Sequence, residues 1–203
     1  MNGQIYDNHG TAFAVSPLRH EDITEALALC DACVGANMYP RSVLEEAVDR
    51  PGRYFFLLRS PEGELAGYFY FFLTDLDEMA AFSKVSKDHL ARMTEEPEPV
   101  LVNLRSLGIA RPYRSCGLAL AFMRWGLDFL ARETPGQVAM GVFWKPNGTL
   151  PMVRSLEAFS FLFLEDAHLV WYDTPGLVCP YCQGKCHCDA AVYYKPLKGG
   201  NQT

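Results

Sequence analysis

The sequence predicts a mixed α/β (α+β) domain, and three observations carry that expectation. Hydrophobic residues make up 49% and aromatics 13% of 203 residues, enough to bury a core, and the length suits one domain spanning 1–203. Strand-like and helix-like segments run in the order β-α-α-β-β-(insertion)-β-α-β-α-β-β, which is not the strict alternation of a doubly wound sheet. The longest apolar run, Leu65 to Leu73, is nine residues, where a membrane-spanning helix needs about 20. No internal repeat or low-complexity tract interrupts the pattern.

Each element has its own signal. Ala12–Val15 reads as a strand stopped by Ser16-Pro17. Asp22 and Glu25 make a variant capping box, and Ile23, Leu27, Cys30 and Val34 line one face of a helix that stops at Gly35. Cys30 and Cys33 fall two turns into this helix rather than at its N-terminus, where a dipole would activate a thiol, so they read as packing residues. Ser42 and Glu45 form a second capping box and start a short helix that ends before Pro51-Gly52. Tyr54–Leu58 and Leu65–Leu73 flank Ser60-Pro-Glu-Gly63, a hairpin signal. Residues 74–99 are polar, acidic and helical in part (Ala80 to Met93), and read as an insertion. Val100–Ile109 returns to strand. Gly117–Arg132 carries Leu118, Phe122, Trp125 and Phe129 on one helical face and stops at Thr134-Pro-Gly136. Gln137–Trp144 is a strand, Pro151 opens a helix to about Phe159, and Phe161–Leu164, His168–Tyr172 and Ala190–Tyr194 read as strands.

With 18 Lys+Arg against 24 Asp+Glu, the net charge of −6 argues against broad phosphate neutralisation of nucleic acid. The first ten residues, MNGQIYDNHG, lack a basic region followed by an apolar stretch, so the expected location is cytoplasmic and the compartment reducing.

The first chemical signal is Arg114-Ser-Cys-Gly117-Leu-Ala119, placed between a strand and a strong helix. A glycine there lets several backbone N–H groups gather at a helix N-terminus, a setting suited to a pyrophosphate, with Arg114 adding positive charge. At these residues the sequence resembles the GNAT-type N-acetyltransferase superfamily. Leu107-Gly-Ile-Ala-Arg-Pro-Tyr-Arg-Ser-Cys-Gly-Leu-Ala119 is similar to that family's acetyl-CoA motif, and the element order over residues 12–195 is similar too. The resemblance implies a mixed, mostly antiparallel sheet flanked by helices. It also implies an acetyl-CoA site in which backbone groups of Leu107 and Ile109 hold the pantetheine arm. The amides of Ser115, Cys116, Gly117, Leu118 and Ala119 would cradle the pyrophosphate, and Asn147 would lie near the thiol end.

The sequence departs from the family pattern at telling places. Leu156 falls where many members carry a tyrosine general acid, and Ser160 where they carry glycine. The strand 100–109 offers Asn103, Arg105 and Ser106 but no carboxylate base. Removal of the amine proton would fall to a held water or to Asp75, Asp77 or Glu78 from a neighbouring loop. Cys116 reads as a filler of the turn rather than a nucleophile, His168 as a structural histidine, and Glu165-Asp166 as a solvated turn.

The second chemical signal is Cys179-Pro-Tyr-Cys182-Gln-Gly-Lys-Cys186-His-Cys188. Uniform scatter of seven cysteines over 203 residues would place about 0.3 in such a window, so the cluster needs a reason. Without an export signal, a metal is favoured over disulfides. Cys179, Cys182, Cys186 and Cys188 can complete a tetrahedron around structural zinc, with His187 able to replace Cys186 or Cys188; an iron–sulfur cluster is the alternative, and free thiols the third reading. The segment 173–190 then reads as a metal-stapled hairpin decorating the fold.

The sequence therefore leads to an acetyl-CoA-dependent N-acetyltransferase that acts on a primary amine of a small molecule or peptide by direct attack. The alternative is a non-catalytic acyl-CoA sensor or metal-stapled interaction module on the same fold. Neither a nucleic-acid nor a membrane partner is expected, the catalytic residues are unassigned, and the oligomeric state is open, a dimer included.

Overall fold

A computed structural model describes residues 2–94, 96 and 98–197. In chain order it contains β1 (Gly3–Tyr6), β2 (Ala12–Pro17), α1 (Ile23–Val34), α2 (Arg41–Asp49), β3 (Arg53–Arg59), β4 (Leu65–Thr74), α3 (Leu76–Ser83), α4 (Lys87–Ala91) and β5 (Leu101–Ile109). There follow α5 (Leu118–Glu133), β6 (Val138–Lys145), α6 (Val153–Ala158), β7 (Leu162–Ala167) and β8 (Asp189–Pro196). The strands form one sheet of order β1-β2-β3-β4-β5-β6-β8-β7. It is mostly antiparallel; β5 and β6 run parallel, with Leu101–Asn103 registered on Val138–Met140. Among the described residues no helix is long and apolar enough to cross a membrane.

The chain divides into two compact units. The first comprises residues 1–71, 106–126 and 174–185. Its centre is β4, where Ala66 through Phe71 are all buried. A strand buried without alternation must be covered on both faces. On one face Tyr70 meets the ring of Tyr39, 5.8 Å away and edge-on. On the other, Phe69 meets Phe122 of α5 at 5.8 Å, and Phe56 of β3 meets Trp125 at 4.7 Å. Gly126 is required by this packing, since a Cβ there would enter the Phe69 ring.

The second unit comprises residues 72–105, 127–173 and 186–203. Here β8 lies between β6 and β7, antiparallel to both. The insertion forms two short helices, α3 and α4, capped by the side chains of Asp75 and Ser86. It is anchored by the Arg105 guanidinium, 4.0 Å from the centre of the Phe82 ring, and by a 2.6 Å contact between His89 Nδ1 and Glu165 Oε2. Two residues of its polar tail, Glu95 and Pro97, lie outside the described residues.

Several local expectations change. A strand, β1, precedes the expected first one, joined to β2 through the turn Asp7–Thr11. Helix α2 begins at Arg41 behind Pro40, without a side-chain cap from Ser42. Proline's fixed φ near −65° presets that entry, while Glu45 is engaged by Arg41 at 3.0 Å. Residues 168–172 are a turn, not a strand: Leu169 adopts φ +51°, Tyr172 N–H closes on Leu169 carbonyl, and Trp171 is buried against Trp144. Glu165 and Asp166 lie in β7, not in a solvated turn.

The end of α6 explains the serine that replaces glycine. Phe161 N–H bonds to Leu156 carbonyl and Ser160 N–H to Glu157 carbonyl, the paired bonds of a Schellman motif. Its left-handed position is Ser160, at φ +56°. A side chain there costs about 1–2 kcal/mol, partly offset by the lower unfolded-state entropy of serine relative to glycine. Ser160→Gly should therefore raise stability by about 0.5–1 kcal/mol in urea titration; a loss of stability would mean the hydroxyl contributes more than the strain.

Candidate functional site

Strand β5 delivers the chain into a helical turn at Arg111–Tyr113 and then into α5. Between them Ser115 takes φ +67° and Gly117 φ +86°, either side of Cys116. This is the chain reversal that turns the first N–H groups of α5 outward, and the amides of Leu118 and Ala119 have no intrahelical acceptor. A turn of this kind, with Ser115 exposed, Cys116 and Gly117 half-buried and no acidic residue in the first turn of the 16-residue helix, is suited to an anion. So Ser115, Cys116, Gly117, Leu118 and Ala119 are brought together as a single backbone feature.

The N-terminal hairpin braces the turn. Asn8 N–H donates to Cys116 carbonyl at 2.8 Å, and the Asn8 side chain lies where a Cβ on Gly117 would go. The hairpin tip is itself fixed by Asp7, whose carboxylate accepts from the N–H groups of His9 and Thr11 at 2.9 and 2.8 Å. Asn8 was missed in the sequence; the signal that could have found it is Asp7-Asn-His-Gly10 between two short apolar pairs. Gly117→Ala should cost about 1–2 kcal/mol in chemical denaturation from backbone strain alone, and hydrogen exchange of the Asn8 amide should rise as the new methyl group displaces it.

Arg114 is exposed and sits at the end of β5. Its Nε donates to Ile109 carbonyl at 2.8 Å, and its Nη2 lies 3.8 Å from Cys33 Sγ. The guanidinium is thus oriented by the last residue of the strand. Leu107 is half-buried, while Gly108 and Ile109 are buried. Gly108 faces Tyr68 and Cys33 closely enough to exclude any side chain. The parallel register of β5 with β6 runs from Leu101 to Asn103, so the residues from Leu104 to Ile109 lie beyond that ladder.

Cys30 and Cys33, near the turn, are not activated thiols. Burial pushes Cys33 up, opposed by Arg114, and pushes Cys30 up further. Cys116 donates its thiol to Tyr113 carbonyl at 3.0 Å, which fits a filler of the turn. Ser106 of β5 instead accepts from Tyr39 Oη at 2.8 Å. Tyr39 is a further residue the sequence did not single out, because its position before Pro40 reads only as a helix boundary. Burial holds the nearby Tyr68 phenol well above its ordinary range, so it stays protonated.

The carboxylates expected to substitute for a strand base have other partners. Asp75 caps α3 through Glu78 N–H at 2.8 Å, Asp77 pairs with Lys87 at 2.7 Å, and Glu78 accepts from Thr74 at 2.9 Å. His168 pairs with Asp189 at 2.8 Å on the surface, a structural arrangement. Leu156 is buried. Asn147 is exposed, in a left-handed turn at Pro146–Gly148, and does not cap α6.

Within the segment 179–188, the sulfurs of Cys179, Cys182, Cys186 and Cys188 lie within 4.8 Å of one another. Three of these residues are buried and Cys182 is exposed. The first pair sits on a tight turn: Gln183 N–H bonds to Cys179 carbonyl at 2.9 Å, and Cys179 N–H bonds to Gly184 carbonyl at 2.8 Å. His187 directs its ring edge-on to Tyr172 at 5.3 Å, outside the set of four sulfurs. Such a set can hold one tetrahedral ion.

The sheet with its short parallel β5–β6 register, and a left-handed turn leading from β5 into α5, define the GNAT fold. The solved structures bear this out. Arabidopsis thaliana NAA60 in complex with acetyl-CoA superposes with a TM-score of 0.69 at 15% identity, covering 92% of this chain and 99% of that one. The Escherichia coli ribosomal-protein-S18-alanine N-acetyltransferase gives 0.62 at 14% identity, covering 94% and 97%. Chaetomium thermophilum Naa20 in complex with a bisubstrate analogue gives 0.64 at 14%, covering 90% and 85%. No protein-family profile and no curated protein matches the sequence, so the kinship is one of fold.

Proposed function

We propose that this chain is an acetyl-CoA-dependent N-acetyltransferase acting on a primary amine, with the cofactor at residues 107–119. The observation that carries the reading is the turn at Ser115–Gly117, which presents the N-terminus of α5 as an anion cradle on the GNAT fold. Leu107 and Ile109 would bind the pantetheine arm through their backbone, the turn amides would take the pyrophosphate, and Arg114 would add charge. The fold neighbours support acetyl-CoA as the donor, one of them being a complex with it.

In the reaction the free amine attacks the thioester carbonyl; the C–N bond forms, the C–S bond breaks, and the thiolate leaves. A thiol's ordinary pKa is about 8.5, so its thiolate is an acceptable leaving group near neutrality. The loss of a general acid at Leu156 then removes an acceleration of about 10²–10⁴-fold rather than the reaction itself. With no carboxylate on β5, deprotonation of the ammonium falls to solvent, and kcat/KM should rise with pH until the acceptor's own pKa is passed. A rate that instead plateaus near pH 5 would reveal a carboxylate base.

Isothermal titration tests the cradle. CoA should bind, and Arg114→Ala should weaken it by roughly ten- to a hundred-fold, the loss of one charge-assisted hydrogen bond. No binding at millimolar CoA would sink the reading. Binding without thiol release across a broad amine panel would favour an acyl-CoA sensor, for which Leu156 and the carboxylate-free strand speak.

The four cysteines are best read as a structural zinc site in a reducing compartment. Zn–S bonds of about 2.3 Å place tetrahedral sulfurs about 3.8 Å apart, compatible with a set already within 4.8 Å. A cluster of several irons needs its thiolates farther apart. All four positions are filled by protein, leaving none for catalytic water. Elemental analysis should find about one colourless zinc per chain; a brown protein would mean iron.

A further inference from the structure

The segment that bears the cysteines also holds the connection between α1 and α2. Gly35 ends α1 at φ +98°, and a Cβ there would meet the Val178 carbonyl and the Pro180 ring. Ala36 bridges Val178 in antiparallel fashion, Val178 N–H donating to Ala36 carbonyl at 3.0 Å. Asn37 Nδ2 donates to Gly176 carbonyl at 3.0 Å. Two residues on, Tyr39 is buried and its hydroxyl rests on Ser106 of β5, next to Leu107. One side of residues 35–39 is thus fastened to residues 176–180, and the other to the strand assigned to the cofactor.

The fastening depends on little besides the cysteines. Val178 is directly followed by Cys179. Between Thr174 and Cys188 the buried apolar side chains are Leu177 and the cysteines Cys179, Cys186 and Cys188, while Val178 and Tyr181 are exposed. Without a cation, four thiolates so close repel one another, and protonated thiols form only weak hydrogen bonds.

We propose that the ion bound by Cys179, Cys182, Cys186 and Cys188 positions residues 35–39 against β5, and so sets how the acceptor amine reaches the acyl group. The link to the acceptor rests on the acetyltransferase reading, whereas the link from metal to residues 35–39 does not. The metal is then remote in its chemistry and close in its effect: it fixes Tyr39 on Ser106 without touching either substrate.

Hydrogen exchange on the full-length protein tests this with no need of a known acceptor. Zinc-loaded protein is compared with chelator-stripped protein and with Cys182→Ser, which alters the one exposed ligand. The amides of Asn37, Met38 and Val178 should exchange roughly tenfold faster without metal, the loss expected when a hydrogen bond is released. The amides pairing β6 with β8 should keep their protection. If Cys182→Ser loses that protection as well, Asn37→Ala decides: it should retain zinc and still speed exchange at Met38 and Val178. Unchanged exchange at residues 36–39 on metal removal would overturn the proposal, and so would a preparation free of metal whose residues 36–39 are equally protected. CoA titration on the same samples reports separately on the acetyltransferase reading. Affinity retained without zinc is expected; affinity lost along with the metal would overturn the assignment of the ion to the acceptor side.

Discussion

The double burial of β4 is the constraint on which the first unit depends. A run from Ala66 to Phe71 with no polar face cannot sit at a sheet edge or meet water. It demands cover on both sides, and the alternating rings of Tyr68 and Tyr70, Phe69 and Phe71 decide what that cover is. Tyr70 meets the Tyr39 ring edge-on, while the Tyr68 hydroxyl is buried without a hydrogen-bond partner among the described residues; hydrocarbon rings face Phe122 of α5. The aromatic core thereby fixes the start of α5, and with it the turn proposed as an anion cradle.

That arrangement was largely legible in the sequence because it is written in period and punctuation. Of the stripe Leu118, Phe122, Trp125 and Phe129, three are buried and Trp125 is half-buried against Phe56, and the strand–turn–helix junction at 109–118 is where the glycine placed it. The failures have a common cause. Residues 168–172 are apolar enough for a strand, but a left-handed Leu169 and the Trp144–Trp171 contact impose a turn. Helix α2 ignores its capping box because Pro40 acts two residues earlier. Asn8 has only the turn signal of Asp7–Gly10 and Tyr39 no local signature, since their importance comes from contacts with Gly117 and Ser106, about 109 and 67 residues away. Local chemistry shows in a sequence; long-range partnership does not.

The polar residues of β5 suggest an economy of a different kind. Where an acid–base pair might be expected, the strand offers Arg105 stacked on Phe82, Ser106 receiving a phenol, and Asn103 buried with an unmatched oxygen. These groups orient and pack; none moves a proton near neutral pH. On the proposed acetyltransferase reading, a site so equipped would rely on holding reactants in place, an effect that reaches many powers of ten in intramolecular reactions. It would favour acceptors that are already free bases over strongly basic amines.

The bond between Asn37 and Gly176 joins positions 139 residues apart. On the ribosome, the early helices and their aromatic core are synthesised long before Gly176 emerges, so the connection after α1 must wait with its final partner absent. Contacts of such separation are slow to form because chain closure is costly. On the proposed metal reading, an ion captured by four neighbouring thiolates would assemble its own turn locally and present Val178 ready-made, converting a distant search into the docking of a preformed piece. On that reading the supply of metal would time the docking of the connection after α1.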